Sequence, residues 1–126
     1  MADRAANARR GKSGESHARV WLEGRGYTTV AANWRCPSGE LDLVMLHRDE
    51  LVFVEVKTRT GERFGRAAEA VTPAQQRKLL KTAAWFVSEH PDHEDRIWRI
   101  DIVAVTIHPH TGAASVEHIE NAVVEG

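Results

Sequence analysis

A chain of 126 residues with 42% hydrophobic and 28% charged residues has the size and balance of one soluble domain around one core. Its single cysteine, Cys36, excludes an internal disulfide and fits a reducing compartment. No apolar run approaches a membrane span and Met1 to Arg4 leads into no signal-peptide pattern, so the expected location is cytoplasmic. The net charge of −1 is not that of a nucleic-acid binder, yet residues 1–81 hold 15 Lys/Arg against 10 Asp/Glu and residues 82–126 hold 2 against 8. A basic part lining a groove would meet phosphates. Two solvated surfaces of opposite sign would give the same counts.

Residues 1–12 carry Arg4, Arg9, Arg10 and Lys12 among Ala and Gly with no apolar periodicity, and are expected as a flexible basic N-terminal arm. Residues 13–126 then form the domain. Ser13 is expected to cap a helix to about Arg25, with Ala18, Trp21 and Leu22 facing inward. Gly24 and Gly26 end it. Tyr27 to Arg35 reads as a strand, and Cys36-Pro37-Ser38-Gly39 as a turn. Glu40 to Leu46 and Leu51 to Thr58 read as two strands with only His47-Arg48-Asp49-Glu50 between them, hence an antiparallel hairpin. Residues 59–71, with Gly61 and Gly65, read as a loop that can move. Thr72 and Pro73 are a helix cap and first position, and the helix runs to about His90. Ile100 to Ile107 is a strong apolar strand, and Ser115 to Ile119 a weak last one. The order α-β-β-β-α-β-β predicts an α/β fold, an α/β/α sandwich with a central mixed sheet and a helix on each face.

The hairpin carries the chemistry. An even loop centred between Arg48 and Asp49 puts Asp42 opposite Glu55 and Glu40 opposite Lys57. Residues two apart share a face, so all four project from one side of the sheet. Two carboxylates about 5 Å apart repel by about 3 kcal/mol at an effective dielectric near 20. A proton, a basic neighbour or a cation must offset this, and oxygen ligands of this kind suit Mg²⁺ or Mn²⁺. Both acids interrupt apolar strands, where an unpaired carboxylate is costly. Lys57 can orient or deprotonate a water, offset charge on a phosphate, or simply pair with Glu40.

Glu15 ends the inward stripe of the first helix, and Gln76 ends the stripe of Leu80, Ala83 and Val87 on the second. Each can point at the same site. Equally, Glu15 can serve only the helix dipole and Gln76 can be a solvated first-turn residue. His90-Pro91-Asp92-His93 and His108-Pro109-His110 lie at turns without cysteine partners and read as surface histidines rather than a zinc site. No Gly-rich phosphate loop and no nucleophile elbow is present.

The segments Gly39-Glu40-Leu41-Asp42-Leu43-Val44 and Val54-Glu55-Val56-Lys57 resemble the PD-(D/E)XK nuclease superfamily, in which Asp and then Glu-x-Lys sit on neighbouring strands. More closely, the chain resembles the YraN-like family of small bacterial nuclease-like proteins. Supporting segments are Gly14-Glu15, Gly26-Tyr27, Asn33-Trp34-Arg35, Phe64-Gly65, Ala70-Val71-Thr72-Pro73, Arg99-Ile100-Asp101-Ile102-Val103 and Asn121-Ala122. The resemblance implies a restriction-endonuclease-like core, similar to archaeal Holliday-junction resolvases. It implies metal binding by Asp42, Glu55, the Val56 carbonyl and Glu15, a catalytic lysine at Lys57, and a helix residue at Gln76 or Gln75. Family members often carry Lys where this chain has Gln75, which removes a basic phosphate contact.

The expected function is therefore a Mg²⁺- or Mn²⁺-dependent endonuclease acting on DNA rather than RNA, on branched or repair intermediates. Arg59, Arg63, Arg66, Arg77, Lys78 and the basic arm would hold the backbone. The rival reading is a catalytically silent nuclease-fold module that binds nucleic acid or a protein partner. A homodimer through Trp85 or a sheet edge is compatible with either.

Overall fold

The computed structural model describes residues 4–60 and 71–124, with side chains from Ser13 onward. A helix α1 (Arg4–Glu23) is followed by strands β1 (Thr28–Cys36), β2 (Gly39–His47) and β3 (Glu50–Thr60). A second helix α2 (Pro73–Glu89), a 3-10 turn (Pro91–His93), and strands β4 (Trp98–Ile107) and β5 (Ala114–Val123) complete the order. The strands form one five-stranded sheet in sequence order. β3 and β4 run parallel, joined by the crossover through α2, and the other neighbours are antiparallel.

Each helix covers one face. Ala18 and Leu22 of α1 pack on Leu43, Met45, Val52, Val54, Val103 and Val105. Leu79, Ala83 and Phe86 of α2 pack on Val44, Leu51, Phe53, Ile100 and Ile102. The central strands are buried on both sides, which is why they read as continuous apolar runs rather than alternating ones. The expected α/β sandwich is the architecture observed.

Two boundaries differ in kind from expectation. α1 begins at Arg4, so Ser13 lies inside the helix and is no cap. The Ala and Arg residues before it are strong helix formers and continue the helix through the stretch expected as an arm. The last strand, weak by pattern, spans ten residues because it is held by its ladder to β4. Thr72 does cap α2: its side chain accepts from the Gln75 N–H, and the Gln75 side chain accepts in return from the Thr72 N–H.

The β2–β3 hairpin closes on a two-residue loop. Arg48 and Asp49 have φ of 50° and 66°, the pattern of a type I′ turn, so His47 pairs with Glu50. The loop is shorter than expected, but its centre is unchanged and so is the register. β1 and β2 close likewise through Pro37 and Ser38, with Cys36 opposite Gly39.

On β4, in register with Val54, the fully buried Asp101 organises a polar network that reaches back towards the hairpin turn. It accepts from Arg99 Nε at 3.0 Å, from His118 Nε2 at 2.7 Å, and from the Asn121 N–H at 2.9 Å. Arg99 also pairs with Glu50 and donates to the Tyr27 hydroxyl, and Tyr27 stacks on His47. These donors outweigh burial and hold the Asp101 carboxyl below the ordinary aspartate value. A depressed folded pKa contributes stability above the unfolded value of about 4 and loses it as pH falls further. Asp101→Ala is expected to cost about 2–4 kcal/mol in urea unfolding at pH 7, because it removes the buried acceptor of Arg99, His118 and the Asn121 N–H at once. The gap from wild type should narrow below about pH 4; a gap that stays constant down to pH 3 contradicts this assignment.

Candidate functional site

At the end of the β2–β3 hairpin away from its turn, the ladder stops. Pairing runs from His47↔Glu50 to Leu43↔Val54 and goes no further. Hydrogen-bonded pairs alternate along an antiparallel ladder, so the next donor due to cross is the Val56 N–H. It donates instead to Asp42 Oδ2, at 2.8 Å. The side chain has replaced a strand as partner for the backbone. Beyond this point β2 pairs only with β1, and β3 only with β4. Leu41 joins the cluster under α2 whereas Leu43 joins that under α1, so the two-residue alternation breaks at Asp42.

Glu55 and Lys57 follow Leu51 and Phe53 on the α2 face of β3. Lys57 Nζ lies 3.6 Å from Glu55 Oε1, while Glu40 lies 3.6 Å from Arg35 Nε. Of the alternatives for Lys57, the pairing with Glu40 is thus not the one formed. A cavity of about 170 Å³ opens beside them, lined by Glu40, Glu55, Lys57, Gln75, Lys78 and Thr82 among others. Gln75, not Gln76, faces this cavity. The Gln76 amide donates to the Val71 carbonyl at 3.1 Å and ties the start of α2 to the preceding segment.

Glu15 approaches from α1. Gly14 is buried against β3 so closely that a Cβ there would lie 1.8 Å from Thr58 Oγ1. The missing side chain lets α1 press onto β3 and brings Glu15 within electrostatic range of both Asp42 and Glu55. The same approach occurs on the other face, where a Cβ on Gly39 would lie 3.0 Å from Lys78 Cε and 3.1 Å from Thr82 Oγ1.

The acids repel one another. Burial, then the Glu55 charge, push the Asp42 carboxyl up to about 7 against the pull of the Val56 N–H, and Glu15 and Glu40 add to the rise. Burial also raises Glu55, with Lys57 opposing and Glu40 and Glu15 reinforcing. The pair therefore holds a shared proton more tightly than either acid alone would, and the two titrate together. Both oxygen sets are hard donors. Mg²⁺ is commonly held by one or two carboxylates and keeps several waters, so the pair fits such an ion. No group of three His, Cys, Asp or Glu side chains among the described residues is arranged to hold one.

The remaining expected residues scatter. Lys78 lines the cavity, Arg77 is exposed on α2, and Arg59 is half-buried near the end of β3. Arg63 and Arg66 lie outside the described residues. Glu40 belongs to the site, although only its position on the hairpin face marked it in the sequence.

The model of the uncharacterised protein family UPF0102 matches residues 14–105, a span that includes Glu15, Asp42, Glu55 and Lys57. A UPF0102 protein of Roseiflexus castenholzii is 43% identical over 117 residues, covering 93% of this chain and 94% of that protein. One from Beutenbergia cavernae is 49% identical, over 86% and 91% of the two chains. One from Frankia alni is 44% identical, over 97% and 99%.

A carboxyl raised in the folded state contributes stability while protonated and loses it as pH rises through about 7. Asp42→Asn keeps an acceptor for the Val56 N–H and removes the repulsion. In metal-free buffer at pH 8 it is expected to stabilise the fold by about 1–2 kcal/mol, discounted for partial exposure and for the proton shared with Glu55. The gain should shrink steadily towards pH 4. Thermal unfolding across that range checks it, and a variant less stable than wild type at pH 8 would refute it. Gly14→Ala should cost about 1–3 kcal/mol through overpacking against Thr58, again read by thermal unfolding. An unchanged melting temperature would show that the α1–β3 contact has room to give.

Proposed function

The chain belongs to the uncharacterised protein family UPF0102, and we propose that it is a divalent-metal-dependent endonuclease that hydrolyses phosphodiester bonds in DNA. The observation that carries this is the Asp42–Glu55 pair, two mutually repelling carboxylates kept beside Lys57 and a polar cavity. A fold does not maintain such a pair for its own stability; it costs free energy until a cation or proton answers it. The resemblance of Asp42 and Glu55-Val56-Lys57 to the PD-(D/E)XK motif supports the same reading. So does the sandwich fold, which is compatible with a restriction-endonuclease-like core akin to the resolvases. Branched or repair intermediates are the substrates this implies.

Asp42 and Glu55 would hold Mg²⁺ or Mn²⁺, with Glu15 contributing charge from α1 and the Val56 carbonyl as a further oxygen. Such an ion supplies Lewis-acid stabilisation of a phosphate and lowers the pKa of a water. Asp42 must give up its proton to become a full ligand. The Lys57 ammonium, already fixed against Glu55, positions the attacking water and stabilises negative charge developing on the phosphate. Lys78, across the cavity, offers a second cation to the same phosphate. Gln75 supplies an amide at the cavity wall, a hydrogen-bonding contact without charge. Arg77 and Arg59 would meet the flanking backbone, the DNA being held by charge rather than base reading.

Junction, flap and linear DNA should be cut with Mn²⁺ or Mg²⁺. Glu55→Ala should abolish cutting and Lys57→Ala should reduce it by about 100-fold. No metal-dependent cleavage above the Glu55→Ala background on any of these substrates would sink the enzymatic reading. DNA binding that persists in the doubly substituted Asp42→Ala/Glu55→Ala protein would then favour a silent binding module. Independently, Mn²⁺ affinity by calorimetry should rise about tenfold per pH unit below pH 7 and flatten above it, as the shared proton is displaced. Affinity independent of pH from 5.5 to 8 counts against Asp42 as ligand.

A further inference from the structure

Asn33 stands out in β1, because asparagine is a poor strand former and this one has φ of 52°. The register places it opposite Asp42, between the pairs Ala32↔Leu43 and Trp34↔Leu41. Continuing both registers by one residue puts Asn33, Asp42 and Glu55 in one row, at the point where β2 and β3 cease to pair. With its nitrogen turned to the acids, the Asn33 amide donates to Glu15 Oε2 at 3.0 Å and to Glu40 Oε1 at 3.2 Å. The reverse orientation would set a carbonyl oxygen against two carboxylates and satisfy neither. One side chain on an edge strand therefore ties Glu15 of α1 to Glu40 of β2, and both acids act on the Asp42 and Glu55 charges.

We propose that Asn33 is a positioning residue of the acidic site: its amide ties Glu15 to Glu40 beside the Asp42–Glu55 pair and so sets the charge around the two carboxylates that would hold a divalent cation. The role rests on the reading of Asp42 and Glu55 as a metal pair. The chemistry of the donor is specific. An –NH₂ group has two N–H donors and can hold two carboxylates at once. It carries no charge, so it orders the acids without neutralising them, whereas a lysine or arginine there would compete with the cation. Asparagine also tolerates a left-handed backbone better than glutamine or any branched residue, so the strained position and the donor are supplied together. The other visible partner of Glu40, Arg35, is mostly exposed and lies 3.6 Å away, a pairing that water screens. Outer groups that orient ligands in this way typically change metal affinity by about 10- to 100-fold.

Two variants isolate the role. Asn33→Gly keeps the positive φ without steric cost and deletes only the amide. Asn33→Asp keeps the shape and turns the donor into another acid. Calorimetry with Mn²⁺ at pH 7.5 on wild type, Asn33→Gly and Glu55→Ala should show binding weakened at least about tenfold by the first and abolished by the second. Without metal, Asn33→Asp should lower the melting temperature more at pH 8 than at pH 5, since the new charge faces Glu15 and Glu40. A simple strand-edge residue would show no such dependence. Wild-type Mn²⁺ affinity in Asn33→Gly, with binding lost in Glu55→Ala, overturns the role of Asn33 and leaves the metal reading intact. A pH-independent effect of Asn33→Asp overturns the contact itself. A wild-type protein that takes up no Mn²⁺ overturns the metal reading and this role together.

Discussion

The bond from the Val56 N–H to the Asp42 carboxylate sets where the β2–β3 ladder ends. Everything at the candidate site follows from that exchange of a strand partner for a side chain. The strands cease to pair, the facial alternation breaks, and the backbone of β3 continues along β4 alone. An acid that would be costly inside a paired sheet sits instead where the two strands have parted, next to the acid that lines the cavity, Glu55. The bond also fixes its direction, since one carboxylate oxygen is committed to the backbone.

Asp101 uses the same local device with the opposite electrostatic outcome. It too takes a backbone N–H, that of Asn121, where the β4–β5 register shifts. Around Asp101 the protein places a guanidinium and an imidazole, and the charged form is favoured. Around Asp42 it places three more carboxylates, and the charged form is disfavoured. The two acids lie within about one register row of each other, on strands separated by β3. One locks strands β3, β4 and β5 to the start of β1 through Arg99, Tyr27 and His118. The other stores repulsion, which is why Asp42 and not Asp101 reads as functional.

The helices frame the site by close approach rather than by bulk. Gly14 lets α1 settle on Thr58, and Gly39 lets α2 settle over the first hairpin. A side chain at Gly14 would push α1, which carries Glu15, away from β3, whereas one at Gly39 would crowd the Lys78 and Thr82 side chains of α2. Stability and function pull apart here. Close packing positions the acids, and the acids weaken the packing until their charge is met.

Much of this was legible in the sequence. Apolar runs gave the central strands, and Thr72-Pro73 gave the start of α2. A short loop gave the register as far as Leu43 opposite Val54, because the side-chain period of a strand is fixed and a tight turn leaves one pairing. The same counting applied to Cys36-Pro37-Ser38-Gly39 places Asn33 opposite Asp42, so its position was legible although its contacts were not. Tertiary structure decided the rest. The start of α1 depended on continuous helix propensity overriding a plausible cap. The choice of Gln75 over Gln76 depended on how α2 is rotated over the sheet, which a stripe read within a helix does not fix to one residue. The separation of β2 from β3 at Asp42, the reach of Glu15 past Gly14 and the amide bridge of Asn33 arise where elements far apart in the chain meet. Sequence periodicity encodes faces within an element; distances between elements come only from packing them together.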